Sequence, residues 1–505
     1  MSEPFLFHRI LVANRGEIAV RIIRTLRDLG IESVAVYTDR DAASDHVLMA
    51  DIAVRLQGET SHETYLNPQA LLNVVETYHC DGVHPGYGFL SENSEFARLI
   101  TQSPATFIGP SPQAMELMGN KISAKSLMNS NDIPTVPGSF DKLDSLDDLI
   151  KITEKIGFPV MLKAAHGGGG KGMRIATKAA DLPDAFEACQ REAQAYFNKP
   201  EVFVEKYIPS PRHIEFQILC DQHGNGIHLM ERDCSIQRRH QKLLEEAPSV
   251  FLTPEQRQKL GETAVKAALA VKYVGAGTVE FICHSADEAY FMEMNTRIQV
   301  EHCVTEMITG VDLIAEQIKI AAGKPLSLSQ NDIKQQGWAI EARINAEDPA
   351  NGFIPTPGTI TQCHLPMGPF VRTESHIHPG YSVPPDYDSM IAKIIAWGPT
   401  RESAIAKLKT ALLELRTQGI QTTALFHYHL LSTEAFATGH FNTHFLNENE
   451  DDLAKAMNHP GEPIALLAAA ILGQLTMGNH VNRQKQALDS RQLWTIQSRQ
   501  ETQNH

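Results

Sequence analysis

EMNTRIQVEH, residues 293–302, places Glu293, Asn295, Arg297, Gln299 and Glu301 at every second position, with Met294, Thr296, Ile298 and Val300 between them. In an extended chain alternate side chains share a side, so five polar groups are expected on one face. Such a face is ordinarily a solvated one. The segment upstream, GTVEFICH (277–284), is almost wholly apolar and holds a single carboxylate, Glu280. With EAYFMEMN (288–295) it reads as a hairpin. A lone carboxylate in a buried strand needs a partner. If Glu280 pairs across the hairpin with Glu293, two carboxylates converge and call for a cation. Oxygen ligands on strands suit Mg²⁺ or Mn²⁺, which also bridge phosphates.

Working outward, EVFVEKYI (201–208), HIEFQILCD (213–221) and GIHLMERDCS (226–235) read as further strands of an antiparallel region. FPVMLKAA (158–165) reads as a strand, and HGGGGKGM (166–173) follows it directly. Glycines let backbone N–H groups approach an anion closely. The spacing is not that of the G-x-x-x-x-G-K-[ST] phosphate loop, because Ala165 stands where its first glycine would be and Gly172 follows Lys171. Two readings stand for the loop, a plain hinge or a lid over phosphates. Lys163, Lys171 and the prolines at 134 and 137 favour the lid.

The N-terminal stretch has another texture. HRILVANRG (8–16) is an apolar run and a turn, IAVRIIRTLRDLG (18–30) has helical periodicity ending in glycine, and SVAVYT (33–38) is a second apolar run. Strand–helix–strand implies a parallel α/β sheet. Gly86 and Gly88 are followed by Ser91 where a dinucleotide fingerprint needs its third glycine, so a dinucleotide is not implied.

The chain has 505 residues, enough for several domains. Its net charge of −15 disfavours nucleic acid as a partner. The seven cysteines form no C-x-x-C pair and read as buried residues of a reducing compartment. No apolar run reaches the ~18 residues of a membrane span, and the N-terminus is too short in its apolar part for a signal peptide. The chain therefore reads as cytoplasmic.

Three more segments carry candidate chemistry. Glu205 and Lys206 end a strand, as a nucleotide contact or an ordinary charge pair. RDCSIQRRHQKLLEEAP (232–248) is either a salt-bridged surface or an electrostatic clamp for a multiply charged group. EARINAEDP (341–349) sets Arg343 among acidic neighbours, a pattern more often a structural ion pair.

Taken together, ANRGEIAVRIIR, HPGYGFLSEN, FIGPS, GGGGKGM, ERDCSIQRRHQK, EEAPS, EMNTRIQVEH, TEMITGVDL, RINAEDP, FIPTPG and VPPDYDSMIAK occur in an order that resembles biotin carboxylase, an ATP-grasp family, over about residues 7–446. The resemblance implies an α/β protein with an N-terminal Rossmann-like domain (1–120), an ATP-grasp domain (121–335) with a mobile lid at about 136–207, a C-terminal domain (336–446) and a helical tail (447–505). It implies ATP-dependent carboxylation of biotin by bicarbonate through carboxyphosphate. ATP, Mg²⁺ or Mn²⁺ and bicarbonate would be bound, with biotin on a separate carrier protein or domain, a carboxyltransferase partner and a homodimer.

By the same resemblance, Lys121 and Lys163 are phosphate-binding lysines, and Gly168, Gly169, Gly170, Lys171, Gly172 and Met173 form the lid loop. Glu205 and Lys206 meet adenine and ribose, and His213, Gln237, His240 and Lys242 are further nucleotide and phosphate contacts. Glu280 and Glu293 are metal ligands with Asn295 beside them. Arg297, Gln299 and Val300 form the bicarbonate pocket, Glu301 is the base and Arg343 stabilises the biotin enolate. Lys171 stands where many members have Arg, which loses a bidentate contact. No A-M-K-M biotin-attachment sequence is present, so the chain is expected to act on a biotin it does not carry. The rival readings are another ATP-grasp ligase, of carbamoyl-phosphate or purine-pathway type, and a catalytically silent subunit.

Overall fold

A computed structural model describes residues 7–143, 145–165 and 172–458. Gly168, Gly169, Gly170 and Lys171 of the expected lid loop, and the tail beyond 458, lie outside the described residues. The chain divides into two compact units, residues 1–450 and 451–505. The described part of the second lies in the helix Glu450–Asn458. The first unit holds the sheets and the candidate site.

The N-terminal apolar runs form a five-stranded sheet in the order Ile52–Arg55, Glu32–Tyr37, Arg9–Val12, Gly82–His84, Thr106–Phe107. Every pairing is parallel. The connection after the first strand is the helix Gly16–Asp28, whose Ile18, Ile22, Ile23 and Leu26 are buried at helical spacing. Strand order reverses between Arg9–Val12 and Gly82–His84, the kind of position where open α/β sheets bind ligands at their carboxyl ends. The residues just past those two strands, Asn14 to Glu17 and Tyr87 to Gly88, line the main cavity.

The second body is an eight-stranded antiparallel sheet. Its order is Glu288–Asn295, Gly275–Ser285, Arg212–Cys220, Gly226–Arg238, Gln241–Ala247, Trp338–Asn345, Met390–Gly398, Val371–Ser375. The apolar strand Arg212–Cys220 is buried along its whole length. The boundary expected at 335/336 falls inside this sheet: Trp338–Asn345 pairs with Gln241–Ala247, Met390–Gly398 with Trp338–Asn345, and Val371–Ser375 with Met390–Gly398.

A third, small sheet contains Met173–Ala176, Val160–Ala164 and Val202–Lys206, flanked by the helices Leu146–Ile156 and Leu182–Phe197. Its core is a cluster drawn from residues 143–204 alone, including Leu149, Val160, Leu162, Cys189 and Val202. A body with its own core can move as a unit. The IPTVPGS segment joins it to the large sheet: Phe291 donates its N–H to Pro134 O, and Lys206 donates its N–H to Pro137 O. Gly138 lies so close to this sheet that a Cβ would stand 2.2 Å from Val204 O. No helix among the described residues is long and apolar enough to cross a membrane.

Candidate active site

The edge hairpin forms in the expected register. Glu280 pairs directly with Glu293 and Thr278 with Asn295, so both carboxylates leave the same face. The continuation differs from the sequence expectation. The strand stops at Asn295, and Glu301 is already the N-cap of the helix His302–Thr309. Thr296 donates its N–H to Glu92 Oε1 at 3.0 Å, instead of extending the ladder, and Arg297 Nε donates to Glu92 Oε2 at 3.0 Å. That N-terminal carboxylate draws the chain out of the sheet. Alternation therefore does not account for the convergence of Glu293, Asn295, Arg297, Gln299 and Glu301, yet all five line one cavity of about 1220 Å³.

Lys121, Lys163, Met173, Glu205, Lys206, His213, Gln237, His240, Lys242, Glu280, Val300 and Arg343 line the same cavity. Gly172 does not reach it. It is buried at a φ of +69°, and its carbonyl accepts from Ala164 N.

Lys242 is the electrostatic hub. Its ammonium lies 2.9 Å from Glu280 Oε1 and 2.8 Å from Glu301 Oε1, and also donates to Glu215. Glu280 Oε1 further accepts from Asn295 Nδ2 and Gln299 Nε2, each at 2.8 Å. His213 Nε2 lies 2.9 Å from Glu280 Oε2. Burial opposes the charge on Glu280, but Lys242 and His213 hold its carboxyl well below the usual range.

Glu301 is 1% exposed. Its second oxygen accepts from Arg343 Nη2 at 2.8 Å. As N-cap it makes no side-chain cap bond, so its carboxylate is free to enter the cavity. Burial again opposes its charge, and Lys242, Arg343 and Arg232 hold the carboxyl well below the usual range.

Arg232 is fully buried and works beneath the cavity. It donates to Glu215, Gln217, Thr278, Thr305 and, at 2.7 Å, to Gln299 Oε1, which turns the Gln299 amide N–H toward Glu280. Lys393 Nζ donates to Val300 O at 2.6 Å. The pattern of residue types left Lys393 undiagnosed, because a buried lysine and an exposed one look alike in sequence. Glu215, Glu92 and Lys125 were missed altogether. Glu215, flanked by Ile214 and Phe216 in HIEFQILCD, carried a weaker form of the signal that singled out Glu280, because Gln217 and Asp221 share its stretch.

At the other end, Glu205 is clasped by Lys163 at 2.7 Å and Lys125 at 2.9 Å. Burial opposes its charge, yet the two lysines lower it to about 2. Lys206 Nζ instead donates to Phe158 O at 2.7 Å. Lys121 Nζ lies 3.2 Å from Glu293 Oε2, which raises the lysine's pKa. Between the ends lies the two-residue hairpin turn Arg239–His240, with φ of +49° and +66°. Both residues adopt a conformation that usually selects Asn or Gly, a strained choice characteristic of functional loops. Both line the cavity.

Glu280 and Glu293 set two carboxylates side by side on adjacent strands, with Asn295 beside Glu280, an oxygen-rich pair that fits a hard divalent cation. Lys121, Lys163 and Lys242 converge on the same cavity, an arrangement suited to a multiply charged phosphate.

Comparisons with known proteins agree with this geometry. Residues 6–115 match the family model for the biotin carboxylase N-terminal domain, and residues 341–448 match that for the biotin carboxylase C-terminal domain. Residues 120–329 match the carbamoyl-phosphate synthase L chain ATP-binding domain, a model that taken alone would leave the rival ligase open. Biotin carboxylase 1 of Bacillus subtilis (strain 168) is 52% identical over 442 residues, 87% of this chain and 98% of that protein. The chain belongs to the biotin carboxylase family. It is an enzyme that carboxylates biotin at the expense of ATP, and neither rival reading is favoured.

Other relatives of this biotin carboxylase serve different systems. The 2-oxoglutarate carboxylase small subunit of Hydrogenobacter thermophilus is 46% identical over 467 residues, 92% of this chain and 99% of that one. A structure of that enzyme's biotin carboxylase domain dimer, with MgADP, ADP and bicarbonate, superposes with a TM-score of 0.85 at 47% identity, covering 88% of this chain and 98% of that one. The Campylobacter jejuni biotin carboxylase in complex with an ATP species has the same TM-score at 45% identity, covering 88% and 99%.

Proposed function

We propose that one end of the cavity binds MgATP and the other activates bicarbonate and receives biotin, with Glu301 as the base between them. The observation that carries this reading is the placement of Glu301, one carboxylate oxygen on Lys242 and the other on Arg343, within the cavity that also holds the Glu280–Glu293 pair.

In this reading Lys121, Lys163, His240 and Lys242 hold the ATP phosphates, and Glu205 and Lys206 contribute to the adenosine site through side chain or backbone. Glu280 and Glu293, with Asn295, would hold Mg²⁺ or Mn²⁺, which when bound neutralises charge on the phosphoryl group. Arg297, Gln299 and Val300 hold bicarbonate. Glu301 takes its proton, and the bicarbonate oxygen attacks the γ-phosphorus to give carboxyphosphate and ADP. Carboxyphosphate then breaks down to CO₂ and phosphate, the phosphate takes the N1′ proton of biotin, and N1′ bonds to the carbon of CO₂. Arg343 meets the negative charge that develops on the ureido oxygen. A carboxylate held far below the usual range is a weak base, so Glu301 acts by placement: neighbouring cations acidify the bicarbonate as well as the glutamate.

The biotin is supplied by a carrier protein or domain working with a carboxyltransferase, and the chain acts as a homodimer in the cytoplasm. The dimeric biotin carboxylase domain of the 2-oxoglutarate carboxylase supports the last pairing. The test is ATP hydrolysis with and without bicarbonate and free biotin. Stimulation by biotin with formation of carboxybiotin is expected. Hydrolysis indifferent to both would overturn the reading.

A further inference from the structure

Arg343 has two carboxylate partners, and only one belongs to the cavity. Its Nε donates to Glu245 Oε1 at 2.6 Å, and its Nη2 lies 2.6 Å from that same oxygen. Nη2 also donates to Glu301 Oε2 at 2.8 Å. Glu301 and Arg343 line the cavity and Glu245, fully buried, does not. The Arg343 backbone is fixed independently, because its carbonyl accepts from Thr423 Oγ1 and lies 2.7 Å from His427 Nε2.

We propose that Glu245 is a positioning residue for carboxyl transfer: it anchors Arg343 through Nε, so that the guanidinium keeps its place when Glu301 takes up a proton. The inference rests on the roles assigned above to Glu301 and Arg343. Proton transfer from bicarbonate to a Glu301 oxygen cancels the carboxylate charge and weakens its hold on Nη2. The Nη2 N–H that pointed at Glu301 then becomes available to the ureido oxygen of biotin, while Nη2 itself stays beside Glu245 Oε1. Nε, which meets only Glu245, does not move. Without Glu245 the guanidinium would depend on one charged partner, the one whose charge the reaction removes.

The surroundings of Glu245 fit an anchor whose charge is rationed. Its direct neighbour across the ladder is Glu341, also fully buried, and neither Glu341 oxygen has a hydrogen-bond partner. Burial pushes Glu341 well above the usual carboxylate range, against Lys393. Burial pushes Glu245 itself up to about 7 despite Arg343. Two buried carboxyls side by side on the ladder disfavour a second negative charge behind Arg343.

The test is steady-state kinetics of free-biotin carboxylation by Glu245→Gln, which keeps the length of the side chain and removes its charge. The expected result is a fall of at least tenfold in kcat/KM for biotin, with the KM values for ATP and bicarbonate changed less than twofold. An unchanged kcat/KM for biotin, or a rise in all three KM values together, overturns the proposal. Glu245→Asp, which keeps the charge at shorter reach, decides by the same split if Glu245→Gln does not fold. Arg343→Met distinguishes failure of the anchor from failure of the role beneath it. If it carboxylates biotin normally, the role given to Arg343 fails. If it is inactive while Glu245→Gln behaves as wild type, the anchor alone fails.

Discussion

Glu280 and Glu293 are direct cross-strand partners at the edge of the eight-stranded sheet, one tied to Lys242 and the other to Lys121. The register fixes two carboxylates on one face, each beside a lysine. Glu293→Gln should therefore raise the Mg²⁺ concentration needed for half-maximal ATP cleavage by at least about tenfold. Titration of Mg²⁺ at saturating ATP measures it, and chelation by EDTA should abolish activity in the wild type. A Mg²⁺ dependence identical in both proteins would remove Glu293 from the ligand set.

Glu301→Gln keeps the volume of the side chain and its contact with Lys242 but cannot accept a proton. Loss of a general base costs about 10²–10⁴ in rate. Carboxybiotin formation by Glu301→Gln should fall in that range while nucleotide binding, followed by calorimetry, persists. Retention of more than a tenth of the wild-type rate would assign the proton to another group.

Arg232 makes five side-chain hydrogen bonds in a site closed to water, and one of them orients Gln299. Arg232→Met leaves Glu215 without its buried guanidinium partner and should cost about 3–5 kcal/mol of stability. Arg232→Lys retains the charge but not the planar fork. It should fold and show a raised KM for bicarbonate, because Gln299 loses its partner. Urea unfolding and bicarbonate saturation curves check the two variants.

Glu306 joins the helix His302–Thr309 to Arg21 at 2.9 Å and Arg372 at 2.7 Å. Burial opposes its charge, but the two arginines and His302 lower its carboxyl to about 2. A depressed carboxylate stabilises the fold above its unfolded value of about 4.5 and loses that contribution as pH falls toward 2. The amount at stake is on the order of 3 kcal/mol. Wild-type stability should fall more steeply than that of Glu306→Gln between pH 5 and pH 3. Urea midpoints at the two pH values measure the difference.

Much of the architecture was legible in local pattern. The parallel N-terminal sheet announced itself through apolar runs separated by a helix of period 3.6, and the hairpin of Glu280 and Glu293 through one carboxylate in an apolar strand. The alternation in 293–302 pointed to five residues that do share one cavity, but for an incomplete reason. It holds only to Asn295, after which Glu92, some 200 positions earlier, captures the Thr296 N–H. A long-range contact of that kind leaves no trace in a window of ten residues. Lys206 shows the same limit: its sequence position beside Glu205 suggested a shared role, whereas its ammonium caps the Gly157 and Phe158 carbonyls.

The sequence by itself determined which chemical groups exist and which of them are costly to bury: the lysines at 121, 163 and 242, the carboxylates at 280, 293 and 301, and the long runs of residues that resemble biotin carboxylase. Only the tertiary structure decided how those charges are shared. One ammonium on three carboxylates, one guanidinium between Glu245 and Glu301, and a Glu341 whose carboxyl is pushed well above the usual range behind them follow from burial, which makes each unpaired charge expensive and so lets position, more than residue type, set what each group can do.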